Sequence, residues 1–142
     1  MSVARPTHGF LEHRFLEHTG EVEVAIRAPT EAEIFAEALR AFRDLVAADG
    51  PVGEPLSRPI ALDAPDRPAL LARFVDELVF LAEVEQLVPD ELTGVEVSET
   101  SLHAVVGGRR GPVRHLVKGA TLSRLEFCRD SDGWRARVVL DV

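Results

Sequence analysis

The chain has 142 residues, 46% of them hydrophobic, with a mean hydropathy of +0.04, so it is long and apolar enough for one core in a single domain spanning 1–142 and too polar for a membrane span. Acidic residues outnumber basic ones 24 to 16, giving a formal charge of −8 and a pI near 5.1, which disfavours tight, autonomous binding to a nucleic-acid backbone. Cys128 is the only cysteine, which excludes an intrachain disulfide and a cysteine-rich zinc site, and the opening residues Met1 to His8 carry no apolar run of the signal-peptide kind, so the expected location is the cytoplasm.

In chain order, Phe10 to Phe15 and Val22 to Arg27 read as strands. The second alternates Val22, Val24 and Ile26 on one face with Glu21, Glu23 and Ala25 on the other, so its two glutamates share a face. Thr30 followed by Glu33 is a capping box. Ile34, Phe35, Ala38, Leu39, Phe42, Leu45 and Val46 follow at helical spacing until Asp49-Gly50-Pro51 stops the helix. Arg58 to Leu62 predicts a short strand. Asp66 caps a second, longer helix with Leu70, Leu71, Phe74, Val75, Leu78 and Val79 as its apolar stripe, and Pro89 is expected to close that element. Leu92 to Ser98 and Leu102 to Val106 read as a hairpin. The Gly107-Gly108-Arg109-Arg110-Gly111-Pro112 segment has the composition of a loop and is expected to be the least ordered part. Thr121 to Cys128 and Trp134 to Val142 form a last hairpin around Asp130-Ser131-Asp132-Gly133, with Trp134, Ala136, Val138 and Leu140 on one face and Arg135, Arg137, Val139 and Asp141 on the other. The order of elements gives an α+β fold, mostly antiparallel sheet packed with two helices, in which strands from the two chain ends meet. The echo of Phe10-Leu11-Glu12-His13 in Phe15-Leu16-Glu17-His18 is far shorter than a structural repeat.

Chemistry-bearing residues concentrate at the ends. His18-Thr19-Gly20-Glu21-Val22-Glu23 opens the second strand, and the chain stops at Leu140-Asp141-Val142, where an aspartate adjoins the terminal carboxylate. Carboxylates without cysteine suit a hard cation, Ca²⁺, Mg²⁺ or Mn²⁺, better than zinc. His13 and His18 fall on opposite faces of one regular strand and cannot share a metal. Taken alone, Glu21, Glu23, Asp141 and the terminus also read as a solvated acidic edge that discourages aggregation. Lys118 is the only lysine among the sixteen lysines and arginines, which suggests a position that wants a compact ammonium, as near a phosphate. Arg109, Arg110, Arg114 and His115 form a basic patch that reads as solvated surface, and Glu77 as an exposed carboxylate of the second helix that joins the acidic site only if its face turns that way. Ser123, His115 and an acid can be imagined as a hydrolytic triad, but no G-x-S-x-G elbow, HExxH or phosphate-cradling glycine loop is present.

Four segments in this order, His18-Thr19-Gly20-Glu21-Val22-Glu23-Val24, Phe74-Val75-Asp76-Glu77-Leu78-Val79-Phe80-Leu81, Val117-Lys118-Gly119-Ala120-Thr121 and Trp134 to Val142, resemble the archease family across nearly the whole chain. The resemblance implies a small accessory protein, not an enzyme, that helps an RtcB-type RNA-splicing ligase become guanylylated and turn over repeatedly, with RNA met only indirectly. It implies a metal site made of Glu21, Asp141 and Val142, with Lys118 contacting the partner or its nucleotide and Glu23 and Glu77 as secondary members. Two departures stand out. Glu21 and Glu23 occupy positions where the family pattern has Asp and Gly, and Leu122-Ser123-Arg124 replaces Tyr-His-Asp after Lys118. These leave open a divergent binding module that has lost metal and ligase activation, and, more remotely, an independent small hydrolase.

Overall fold

The structure, a computed structural model, describes residues 11–18, 20–114 and 117–142. In chain order the elements are β1 (Glu12–His18), β2 (Glu21–Ala28), α1 (Glu31–Val46), β3 (Pro55–Asp63), α2 (Arg67–Glu85), β4 (Leu87–Val97), β5 (Ser101–Arg110), β6 (Gly119–Asp130) and β7 (Gly133–Asp141). They make two antiparallel sheets, a four-stranded one ordered β1-β2-β7-β6 and a three-stranded one ordered β3-β5-β4. The α+β expectation holds. The strand expected to begin at Phe10 begins at Glu12, and Phe10 itself lies outside the described residues.

Both helices begin where their capping chemistry directs. The Thr30 hydroxyl accepts from the Glu33 N–H at 3.2 Å and donates to the Glu33 carboxylate at 2.9 Å, and the Asp66 carboxylate accepts from the Ala69 N–H at 2.9 Å. α1 packs on β2 and β4, and α2 packs on β6, β4 and β3, so each helix touches both sheets. Phe35 and Phe74 meet edge to face at 5.5 Å between ring centroids, and Phe35 reaches Phe127 of β6 at 5.6 Å. Val24 and Ile26 of β2 and Val138 and Leu140 of β7 bury the inner face of the four-stranded sheet in the same core.

Two local expectations are corrected. Pro89 does not close α2: Gln86, in the left-handed conformation at φ 56°, ends the helix, and Pro89 sits inside β4 beside a register shift, where a missing N–H is tolerated. Gly107 to Arg110 is not a loop. These residues complete β5, the central strand of its sheet, paired with β3 on one side and β4 on the other. Glycine is there for space, since a Cβ on Gly108 would stand 2.1 Å from the Val88 carbonyl oxygen.

Candidate functional site

Register alone brings the chain ends together. Gly20, at φ 74°, turns the backbone into β2, and the antiparallel pairing of β2 with β7 sets Glu21 directly opposite Asp141. On the other side of β7, Gly119 is the partner of Asp141; the Lys118 N–H donates to the Asp141 carbonyl at 2.7 Å, and the Val142 N–H donates to the Gly20 carbonyl at 3.1 Å. Glu21, Asp141, Val142 and Lys118, four residues singled out in the sequence, therefore occupy one end of one sheet, with the Lys118 side chain exposed. From α2 it is Asp76, not Glu77, that hydrogen-bonds to this end. Its carboxylate accepts from the Ala120 N–H at 2.9 Å, whereas Glu77, one residue on, is half-buried. The sequence gives no local cue for Asp76, because an outward helix carboxylate looks the same whether or not a strand lies beside it.

The counter-charges come from β6 and β7. Between Thr121 and Glu126 β6 bulges, and Arg124, left-handed at φ 57°, projects from the bulge so that its Nη2 donates to Glu21 Oε1 at 3.0 Å and its Nε lies 3.5 Å from Glu23 Oε1. Arg137 Nε approaches the other Glu23 oxygen at 3.4 Å. Glu23, only 6% exposed, is thus a buried carboxylate held between two guanidinium groups. Glu21 and Asp141 remain, two like charges directly opposite each other, an arrangement that costs stability unless a positive charge lies close. Their oxygens, with those of Val142, are of the type a hard cation takes. Among the described residues no three histidine, cysteine or carboxylate side chains converge on a metal-sized site. The donor set therefore fits by type, with Arg124 already supplying one positive charge to it.

Comparison with known proteins agrees with this arrangement of elements. The model of the Archease protein family (MTH1598/TM1083) matches residues 13–142. The chain belongs to the archease family. It is 29% identical to Protein archease of Methanosarcina acetivorans and 28% identical to that of Methanosarcina barkeri, in each case over 92% of this chain and 96% of the relative. The fold is similar to the solution structure of protein 1598 of Methanobacterium thermoautotrophicum (TM-score 0.69, 22% identity, 92% of this chain and 98% of that one). It is also similar to the crystal structure of an archease, possible chaperone, of Thermotoga maritima (TM-score 0.57, 18% identity, 100% and 99%). Against the archease pattern, the two departures of this chain meet in space: Glu23, in place of Gly, and Arg124, in place of Asp, face each other as an ion pair.

The remaining sequence candidates lie elsewhere. Arg109 and Arg110 belong to β5 and are already engaged, Arg109 Nη1 with the Gly53 carbonyl at 3.2 Å, Arg110 Nη1 with the Glu85 carbonyl at 3.1 Å and Arg110 Nε with Glu54 at 3.3 Å. They border a cleft of about 370 Å³ with Arg43, Val52, Val88 and Pro112. Arg114 is exposed, and His115 lies outside the described residues. Ser123 is exposed, and its hydroxyl pairs with that of Thr121 at 3.0 Å.

One cluster had no sequence signal. Glu37 of α1, 2% exposed, receives His13 Nδ1 at 2.7 Å and Arg40 Nη1 at 2.7 Å, while His13 Nε2 lies 2.9 Å from Asp44. The hydrogen bond to Glu37 raises the His13 pKa above its ordinary value, against burial and with help from Asp44. Burial alone would push Glu37 up, but the hydrogen bonds from His13 and Arg40 outweigh it and hold that carboxyl below its ordinary value.

Proposed function

We propose that this protein is a non-enzymatic activator of an RtcB-type RNA ligase, acting in the cytoplasm to promote guanylylation and repeated turnover of that enzyme in tRNA splicing or RNA repair. The observation that carries the reading is the convergence of Glu21, Asp141, Val142 and Lys118 at one sheet end, because residues from opposite ends of the chain are brought together there without any core-packing need for their charge. The family adds support, since the Thermotoga maritima relative is described as a possible chaperone. In this reading Glu21, Asp141 and the Val142 carboxylate would hold a divalent cation, Ca²⁺, Mg²⁺ or Mn²⁺, which when bound would supply positive charge beside a nucleotide phosphate. Lys118, the residue before β6, presents its ammonium to the ligase or its nucleotide, and Asp76 fixes the start of β6 so that Lys118 is held at this end of the sheet. Glu23 acts from behind, positioning Arg124.

The test is ligated RNA per enzyme at limiting ligase, with GTP and Mn²⁺, comparing parent and Asp141→Ala proteins of equal thermal stability. Multiple turnover with the parent and about a tenfold or larger loss with the variant is expected. Equal stimulation by both would sink the terminal-site mechanism. A second reading is favoured by Arg124: its guanidinium on Glu21 at 3.0 Å is a built-in cation, as expected of an archease-like binding module that no longer needs a metal.

A further inference from the structure

One side chain holds the β6 bulge against the outer face of the four-stranded sheet. Leu122, Ser123, Arg124 and Leu125 stand between Thr121 and Glu126, where β7 offers only Val138 between the partners Val139 and Arg137. In the sheet β7 lies between β6 and β2, so Arg124 has to cross β7 to reach Glu21 and Glu23 on β2. It crosses beside Val139, which the register sets between Glu23 and Thr121. The crossing accounts for a burial that the core does not explain. Val138 and Leu140 point into the core, so Val139 points away from it, yet Val139 is 0% exposed. Leu125 packs on the core and fixes one end of the bulge, whereas Leu122 at the other end is 79% exposed.

This closed arrangement carries two costs. Arg124 is a non-glycine residue held in the left-handed region at φ 57°, a conformation that persists only where surrounding contacts impose it. Glu23 is divided between Arg124 Nε at 3.5 Å and Arg137 Nε at 3.4 Å, and Arg137 Nε is left buried without a hydrogen-bond partner among the described residues. Against these stands the hydrogen bond from Arg124 Nη2 to Glu21 at 3.0 Å, a weak restraint because the two side chains are 48% and 33% exposed. Lifting Arg124 off the sheet frees its backbone to relax and leaves Glu23 to Arg137 alone. Closed and open arrangements therefore lie close in free energy, the condition under which a ligand can move the balance between them.

We propose that the bulge is a strap, closed by Arg124 over Val139 and Glu23, which opens when it yields Glu21 to a divalent cation. This rests on the divalent-cation reading of the acidic end and adds its regulation: guanidinium and cation hold Glu21 in turn, and only the open strap bares Val139 and Glu23. The test uses the full chain with ¹³C-labelled leucine and valine methyls and ¹⁵N-labelled amides, titrated with Ca²⁺ at constant ionic strength. In the parent the Asp141 amide and the methyls of Val139 and Leu122 should shift with one midpoint. The methyls should move toward the positions they hold in calcium-free Arg124→Gln, whose strap is open. That variant should reach half-saturation at several-fold lower Ca²⁺, because it has no strap left to open. An Asp141 amide that saturates while the two sets of methyls stay in place overturns the strap and leaves the cation reading standing, as do methyls in Arg124→Gln that match those of the parent. A response of Asp141 in Arg124→Gln alone overturns the yielding, since the guanidinium then keeps Glu21 from the cation. An Asp141 amide that responds in neither protein overturns the cation reading, and the opening of the strap with it.

Discussion

Two buried carboxylates in this protein are neutralised in different ways. Glu37, on α1, is held by a histidine from β1 and by its own helix neighbour Arg40; Glu23, on β2, is held by Arg124 from the β6 bulge and Arg137 from β7. Each ties together elements distant in sequence, but the first bond fastens an edge strand to a helix on the inner side of the sheet, whereas the second sits beside the acidic end on the outer side. The partners of Glu37 include a histidine, whose charge depends on pH, while those of Glu23 are both guanidinium groups. One pairing is placed to set stability, and the other to set the electrostatics of a surface.

Removing either carboxylate is the strongest way to break that contrast. Glu37→Ala strands a histidine that is only 16% exposed and should cost about 3 kcal/mol, the lower end of what a broken buried pair costs. Glu23→Ala should cost less, about 2 kcal/mol, because Arg124 and Arg137, with side chains 48% and 43% exposed, can turn to water. Urea midpoints at constant slope measure both. A larger loss for Glu23→Ala would make the outer face, not the β1–α1 junction, the tighter lock.

The difference also explains how much of the protein is legible in its sequence. The caps at Thr30 and Asp66, the alternation of β2 and β7, and the meeting of the chain ends follow from periodicity and turn chemistry, which are local. Placing Glu21 opposite Asp141 needed only the further inference that the end strands pair. By contrast, the burial of Glu23 depends on a bulge whose non-glycine left-handed residue, Arg124, no pattern announces. The Glu37–His13 bond depends on how α1 lies across β1, and Asp76 acquires its role only because β6 starts beside it. Gly107 to Arg110 misleads for the same reason: its glycines answer to a neighbouring strand's backbone, and their composition alone is that of a turn.

The titratable lock gives a pH signature of its own. His13 is raised above its ordinary 6.5, so its contribution is complete below that value and lost as pH rises through the folded pKa. Glu37 is held below its ordinary 4.5, so its contribution is complete above that value and lost as pH falls through the folded one. The difference in stability between the parent and His13→Gln should therefore peak in weakly acidic solution, between 4.5 and 6.5, at about 1.5 kcal/mol, the scale of a hydrogen bond to a charged group. It should shrink on both sides in urea titrations across pH. A difference that does not change with pH would mean that His13 acts by packing alone.

The smallest effect on stability carries the sharpest functional contrast. Arg124 and Glu21 are 48% and 33% exposed, so Arg124→Gln should cost less than about 1 kcal/mol, as exposed ion pairs do. Its effect on the acidic end is larger in kind. If Glu21, Asp141 and Val142 hold a divalent cation, Arg124 competes with that cation for Glu21, and its removal should tighten Mn²⁺ binding several-fold, read as paramagnetic broadening of the Lys118, Gly119 and Asp141 amides at lower metal concentration. If instead the guanidinium has taken over the cation's place, Arg124→Gln leaves two opposed carboxylates without a counter-charge and the parent shows no localised broadening at any concentration. The same substitution thus separates a metal site restrained by its neighbour from one that its neighbour has replaced, and it does so without passing through ligase activity.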